Sequence, residues 1–188
     1  DVGADERGLP YMVLEYLDGE DLAQRLQTVG ILTVPEACRW VIQACEAIAE
    51  AHAAGIVHRD LKPTNLFRAR QPSGELIVKV LDFGISKDLS AAPAESLTRT
   101  TAVMGTAFYM SPEQLQSAKH VDRRTDIWCL GVILYELLAG RVPFDAETLP
   151  EVIGLILTNR PPPIEQRRPE GPPALAAAVR RAMTTSLR

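Results

Sequence analysis

Residues 58–65, with the sequence HRDLKPTN, carry the side chains best suited to chemistry. Asp60 can accept the proton of an attacking hydroxyl, and Lys62 can place a positive charge against a phosphate. Asn65 offers an amide oxygen, a hard ligand of the kind that Mg²⁺ prefers. These are the groups that phosphoryl transfer needs, although the octapeptide alone is also typical of a charged surface turn.

A second polar motif, Asp82-Phe83-Gly84, follows seventeen residues after Asn65. It comes directly after the apolar run 76–81, which predicts a strand. Asp82 adds a second oxygen ligand, and the glycine permits a sharp turn after it. The sequence therefore predicts that two candidate metal ligands, Asn65 and Asp82, converge.

Several elements must position these motifs. The apolar run Leu9–Leu17 predicts a buried strand that leads into a turn at Asp18-Gly19. A short helix is expected from about Asp21. Thr33 and Glu36 form a capping-box pattern, which predicts a long amphipathic helix that Gly55 stops. Short paired strands are expected at 66–67 and 76–81, around a turn at 72–74.

The second half of the chain contains a strongly apolar segment, residues 124–140. Its apolar residues, among them Ile127 and Leu134, occupy every face of a helix, which predicts a buried central helix. Asp126 opens this helix, and a buried charge there must be hydrogen-bonded. Residues 82–113 predict one long surface segment, and weaker helices are expected near 149–158 and 174–184.

Four motifs in order resemble the protein kinase superfamily: HRDLKPTN, DFG, GTAFYMSPE at 105–113 and TDIWCLGVILYEL at 125–137. The sequence as a whole is similar in character to bacterial eukaryotic-like serine/threonine kinases. The resemblance implies a mainly helical α+β fold, a kinase-like C-terminal lobe with a hinge strand and short β-strands around the catalytic loop. It also implies one partial kinase domain over 1–188, with the last N-lobe strands and hinge at 1–17 and an incomplete C-lobe at 18–188.

The same resemblance assigns roles to individual residues, with ATP and Mg²⁺ as cofactors. Asp60 is similar to the catalytic base, Lys62 to the phosphate-contacting lysine, and Asn65 and Asp82 to the Mg²⁺ ligands. Leu14 takes the gatekeeper-like position. The remaining nucleotide-binding residues are Glu15, Leu17, Asp21, Phe67 and Leu81. Asp21 is an equally good helix cap, and ordinary core packing explains Phe67 and Leu81 equally well.

Other residues resemble supporting or regulatory positions of the family. His58 is expected to support Phe83, and Asp126 to hold the backbone at residues 58 and 59. Glu113 resembles a glutamate that pairs with an arginine near the position where this chain stops. Arg59 resembles the arginine that pairs with an activating phosphate. The candidate acceptors of that phosphate are Thr98, Thr100 and Thr101. The stretch that contains them is equally typical of a flexible solvated loop.

The sequence also departs from the family pattern. No two glycines lie two positions apart, so the glycine-rich phosphate loop G-x-G-x-x-G is absent from these residues. Lys79 follows the catalytic loop, which is the wrong order for the phosphate-binding strand lysine, and is interpreted as strand surface. The start resembles a cut. We therefore expect the 188-residue chain alone to be inactive, to bind Mg-ATP weakly or not at all, and to expose apolar residues built to face a missing lobe.

Composition excludes several other classes of protein. The charge is −4, and only four of the 20 cations are lysines, without any basic block, which argues against nucleic acid and membrane surfaces as partners. The longest apolar run, Ile127–Tyr135, is too short to span a bilayer. Cys38, Cys45 and Cys129 predict buried thiols in a reducing compartment. A cytoplasmic location is expected for this segment, although the parent protein could be anchored outside it.

The partners expected from the resemblance are a protein with a Ser/Thr acceptor and a homodimer for autophosphorylation. Two other functions remain open at this point. One is a catalytically inactive kinase-like scaffold, which the intact Asp60, Lys62, Asn65 and Asp82 set argues against. The other is a small-molecule phosphotransferase, which the long segment ending in SPE, suited to seating a peptide, disfavours.

Overall fold

A computed structural model describes residues 1–83, 105–117, 121–158 and 161–184. The strands are β1 (Val2–Ala4), β2 (Pro10–Met12), β3 (Gly19–Asp21), β4 (Leu66–Arg70) and β5 (Leu76–Val80). The helices are α1 (Leu22–Val29), α2 (Val34–Ala53), α3 (Pro112–Gln116), α4 (Arg124–Ala139), α5 (Leu149–Thr158) and α6 (Pro173–Ala182), with 3₁₀ turns at Pro63–Asn65 and Ile164–Gln166. The fold is α+β and mainly helical, as expected.

The described strands form two small antiparallel sheets. β1 pairs with β2, and β4 lies between β3 and β5 in a three-stranded sheet. In the β4–β5 hairpin Leu66 lies opposite Val80 and Phe67 opposite Lys79. The turn closes at residues 71–75, where Gly74 has a φ of +85° that favours glycine. This hairpin confirms the paired strands predicted from the alternating run.

The predicted helix starts are largely confirmed. Asp21 caps α1, because its Oδ1 accepts a hydrogen bond of 2.8 Å from the Gln24 amide. Thr33 Oγ1 caps α2 by accepting from the Glu36 amide at 3.3 Å. The predicted capping box is only half formed, because the Glu36 carboxylate instead lies 3.0 Å from Arg25.

The core is built on α4, against which α2 and α6 pack. Gly131 allows the close approach of α6, because a Cβ at this position would lie 2.7 Å from the Cβ of Ala182. Most apolar side chains of α4 are buried, which confirms a central helix. The prediction that every face is covered is wrong for Ile127, in the first turn of α4, which is 44% exposed.

The predicted buried strand at Leu9–Leu17 is also wrong. Of these residues only 10–12 form a strand, and all three are exposed. Leu14 is 73% and Tyr16 90% exposed. Within the described residues β2 has β1 as its only strand partner, and its apolar side chains are uncovered, with Tyr11 51% and Met12 64% exposed.

The three cysteines differ in burial. Cys129 is buried as predicted, but Cys38 is half-buried and Cys45 is exposed. The prediction fails at Cys45 because this residue lies on the outer side of α2, beside the buried stripe formed by Val41, Ala44 and Ile48. None of the helices in the described ranges combines the length and apolar character needed to span a bilayer.

Candidate active site

The loop between α2 and β4 carries the acid and the cation of the predicted site. Asp60 Oδ2 accepts a hydrogen bond of 3.2 Å from Lys62 Nζ. The two side chains are 15% and 27% exposed, so both remain reachable from solvent. A partly buried carboxylate next to an ammonium group is suited to accept a proton beside a site of negative charge.

Asn65 is almost fully buried and is fixed in orientation. Its Nδ2 donates a hydrogen bond of 2.8 Å to the Asp60 carbonyl oxygen. Because a carbonyl only accepts, the amide nitrogen must face it, which directs the Asn65 oxygen elsewhere. That oxygen has a long contact of 3.5 Å from the Thr64 hydroxyl. An amide oxygen without a strong donor is a candidate metal ligand.

The β4–β5 hairpin brings Asp82 to the same place. The Leu81 amide donates to the Asn65 carbonyl oxygen at 2.8 Å, which extends the ladder one pair beyond Leu66 and Val80. Asp82 follows directly, exposed and with a left-handed φ of +52°. Asn65 and Asp82 therefore lie at one end of the hairpin, close to the loop that holds Asp60. Gly84 lies outside the described residues.

The donors at this end of the hairpin fit magnesium. Mg²⁺ takes one or two protein oxygens together with substrate phosphates and water. Asn65 and Asp82 supply such hard oxygens. Across the described ranges no group of three or more His, Cys, Asp or Glu side chains could hold a metal ion, so a dedicated protein cage is not found there.

Asp126 anchors the catalytic loop to the start of α4. Its side chain is fully buried. Oδ2 accepts from the His58 amide at 2.9 Å, and Oδ1 accepts from the Arg59 amide at 2.9 Å. Arg59 has a φ of +65°, which is unfavourable for a residue with a side chain. The two hydrogen bonds offset this strain and hold the backbone directly before Asp60, as expected from the sequence.

His58 connects the loop to the residues around Asp82. Its ring lies 4.8 Å from the Phe83 ring, and its Nε2 is 2.9 Å from the Leu81 carbonyl oxygen. The Asp60 amide approaches His58 Nδ1 at 3.3 Å. One tautomer, with the proton on Nε2, satisfies both contacts. The predicted contact between His58 and Phe83 is therefore present.

The sequence reasoning gave no role to His52, although it binds Asp126. Its Nε2 lies 2.7 Å from Asp126 Oδ2, which makes it the third donor to that carboxylate. The signal was its position: His52 continues the buried stripe of Val41, Ala44 and Ile48 in α2. A polar side chain on such a stripe needs a buried partner.

Some of the predicted nucleotide-binding residues lie on or beside the β4–β5 hairpin. Phe67 pairs with Lys79 in the ladder, and Leu81 lies two residues farther along the same face. Glu15 is exposed, and its Oε1 accepts from Lys79 Nζ at 2.6 Å, an ion pair at the surface of the strand. Leu17 is half-buried. Asp21 caps α1, and its contact with a ribose stays a prediction.

The segment 105–117 packs on α4. The Tyr109 hydroxyl donates to Glu136 Oε2 at 2.6 Å, and Cys129 Sγ lies 3.1 Å from the Tyr109 carbonyl oxygen. Burial, together with the neighbouring Glu136 carboxylate, raises the pKa of Tyr109 far above its ordinary value. Burial also raises the pKa of Glu136, although the hydrogen bond from Tyr109 opposes this.

Glu136→Gln is expected to remove part of the pH dependence of stability. The pKa of Glu136 is raised in the folded state, so the folded protein binds more protons than the unfolded one as the pH rises past the ordinary glutamate value. Stability therefore falls as the pH rises above the ordinary glutamate pKa of about 4.3. Thermal unfolding of both proteins, measured from that pH upward, should show a steeper fall in the wild type than in Glu136→Gln; parallel curves would contradict it.

The remaining predicted positions are less informative. Glu113 lies half-buried in the first turn of α3. Its proposed arginine partner near the end of the chain lies outside the described residues. The candidate phosphorylation sites Thr98, Thr100 and Thr101 also lie outside them. Only their proposed partner, Arg59, is described.

Comparison with known proteins adds a family to this geometry. The family of the protein kinase domain matches residues 4–166. Serine/threonine-protein kinase pkn3 of Myxococcus xanthus is 39% identical over 187 residues, covering 98% of this chain and 34% of the relative. Serine/threonine-protein kinase PknB of Mycolicibacterium smegmatis is 39% identical over 175 residues, covering 93% and 27%. Serine/threonine-protein kinase Pkn1 of Myxococcus xanthus is 40% identical over 174 residues, covering 93% and 24%.

This chain thus spans between a quarter and a third of the length of these curated relatives. The match nevertheless includes the loop at 58–65, the hairpin and α4, which together hold the candidate site. The resemblance read from the four motifs is therefore confirmed. The chain belongs to the protein kinase domain family.

Proposed function

We propose that this chain carries the catalytic loop of a serine/threonine protein kinase, which transfers the γ-phosphoryl group of ATP to a protein hydroxyl. The family implies ATP, a divalent metal and protein substrates in general. The observation that supports the proposal is the chain of contacts that joins Lys62 to Asp60, Asn65 to the Asp60 carbonyl, and Leu81, the neighbour of Asp82, to Asn65. The match to relatives named serine/threonine-protein kinases supports the acceptor class.

The proposed roles follow from the chemistry of the side chains. Asp60 accepts the proton as the substrate oxygen forms its bond to the γ-phosphorus and the bond to the β-phosphate oxygen breaks. Lys62 places its charge against the transferred group. Asn65 and Asp82 would hold Mg²⁺, which when bound neutralises charge on the phosphates. Asp126 keeps the loop backbone in place.

Further roles are proposed from the family resemblance. The adenine and ribose would lie near Glu15, Leu17, Asp21, Phe67 and Leu81, some of which lie on or beside the β4–β5 hairpin. A phosphate on Thr98, Thr100 or Thr101 would pair with Arg59. Autophosphorylation in a homodimer and a cytoplasmic location of this domain complete the proposal.

The test is label transfer by the full-length protein. With γ-labelled ATP and a mixture of serine-, threonine- and tyrosine-containing peptides, we expect Mg²⁺-dependent label on serine and threonine. Removing the metal with a chelator should abolish the transfer. The 188-residue chain alone serves as control: its sequence has no glycine-rich loop to hold the phosphates from the other side, so it should transfer no label.

Other outcomes of the same assay would contradict the proposal. Label on a small molecule, with none on peptides, would favour a small-molecule phosphotransferase. Absence of any transfer, together with tight binding of a protein partner, would favour an inactive scaffold.

A further inference from the structure

Gln114 connects the segment 105–117 to the catalytic loop. Its Nε2 donates a hydrogen bond of 2.8 Å to the Arg59 carbonyl oxygen, 55 residues away in sequence. Its Oε1 accepts from the Ser111 amide at 3.0 Å and from the Thr125 hydroxyl at 2.7 Å. The side chain therefore bridges α3, the start of α4 and the peptide directly before Asp60.

The directions of these hydrogen bonds agree with one another. The Ser111 amide can only donate, so the oxygen of the Gln114 side chain must face it. This leaves the NH₂ group for the Arg59 carbonyl, which can only accept. The Thr125 hydroxyl donates to Gln114 and so accepts from the Ser111 hydroxyl, at 2.7 Å. Ser111 and Thr125 are fully buried, which protects the hydrogen bond between their hydroxyls from competing water.

We infer that Gln114 is a positioning residue for Asp60, an inference that rests on the proposed kinase function. Asp126 holds the Arg59 N–H at 2.9 Å, and Gln114 holds the Arg59 C=O. Thr125, which orients Gln114, is the neighbour of Asp126 in α4. The backbone N–H and C=O of Arg59, a residue with an unfavourable φ of +65°, are thus both hydrogen-bonded, the first to α4 and the second to α3.

This arrangement makes the base depend on the segment ahead of α4. The Arg59–Asp60 peptide sets the direction of the Asp60 side chain, and Gln114 fixes the carbonyl of that peptide. Ser111 caps α3 and Gln114 completes its capping box. Displacement of α3 would therefore release the carbonyl and turn the carboxylate from its working direction.

Gln114→Glu in the full-length protein tests the inference. The glutamate keeps oxygens for Ser111 and Thr125 but has no donor for the Arg59 carbonyl. We expect kcat to fall about tenfold, with an unchanged KM for ATP, because the base is displaced while the nucleotide site is intact. Gln116→Glu is the matched control: the same change in the same helix, at an exposed position. It should leave both constants unchanged.

Variants of Thr125 test whether the hydroxyl that orients Gln114 is needed for activity. Thr125→Val removes the hydroxyl that orients Gln114 and should also lower kcat, whereas Thr125→Ser keeps the hydroxyl and should restore it. In an Asp60→Asn background, Gln114→Glu should cause no further loss if it acts through Asp60. An unchanged kcat in Gln114→Glu, or an equal loss with and without Asp60, would overturn the inference.

Amide hydrogen exchange separates this inference from the kinase function itself. Without substrate, residues 58–62 should exchange faster in Gln114→Glu than in the wild type and in Gln116→Glu. Equal exchange in all three proteins would overturn the positioning role. A wild type that transfers no phosphate would refute the kinase function, while the exchange measurement would still decide whether Gln114 orders the loop.

Discussion

Asp60→Asn in the full-length protein is expected to lower kcat for phosphoryl transfer by about 10²- to 10⁴-fold, the usual contribution of a general base. The asparagine has nearly the same shape, and its carbonyl oxygen can still accept from Lys62, which lies 3.2 Å from the carboxylate. It has no basic oxygen to receive the proton of the attacking hydroxyl. Steady-state transfer to a serine or threonine peptide measures the effect.

Two controls separate chemistry from structure in this variant. The temperature of unfolding should be close to that of the wild type, because the main chain of Asp60 still accepts from Asn65. The affinity for Mg-ATP should also be retained, because the predicted metal ligands are untouched. Turnover close to the wild-type rate would reject Asp60 as the base.

Asp126→Asn is expected to have the largest effect on stability, a loss of about 3–5 kcal/mol in the free energy of unfolding. Asp126 is fully buried and accepts from two backbone amides and from His52. An asparagine can keep one acceptor oxygen, but its NH₂ group must then face an N–H donor. Chemical denaturation of both proteins measures the loss, and kcat should fall as the loop loosens.

Asp122→Asn is the matched control for Asp126. Asp122 also accepts from a backbone amide, that of Arg124 at 2.8 Å, and pairs with the Arg124 guanidinium at 3.0 Å, but both side chains are more than half exposed. Surface ion pairs contribute little to stability. Denaturation curves that shift equally for the two variants would show that the buried hydrogen bonds of Asp126 do not anchor the loop.

Local signals predicted the parts of the fold that local chemistry determines. Asp21 and Thr33 begin helices because their side chains accept from amides three residues ahead. The alternating run before Asp82 forms the predicted hairpin. The failures at Leu14, Ile127 and Cys45 share one cause, since a periodic pattern shows which residues are apolar but not what covers them.

The candidate site was predictable as a set of residues but not as a network. The motifs placed Asp60, Lys62, Asn65 and Asp82 in order, and the ladder shows how the hairpin brings the last two together. His52 and Gln114 escaped because their partners lie 74 and 55 residues away. Neither spacing nor residue type reveals a hydrogen bond of that range without the packing of α2, α3 and α4.

The hydrogen bond between Asn65 and Leu81 continues the antiparallel pairing of the hairpin. This pairing fixes the distance between the two candidate metal ligands, Asn65 and Asp82. Residues added at its tip, around Pro72–Gly74, lengthen a surface turn and leave that spacing alone. A residue lost from inside β4 or β5 would instead reverse the side-chain alternation and point Asp82 to the opposite side. We therefore expect insertions and deletions to be tolerated in the turn of the hairpin but not within β4 or β5.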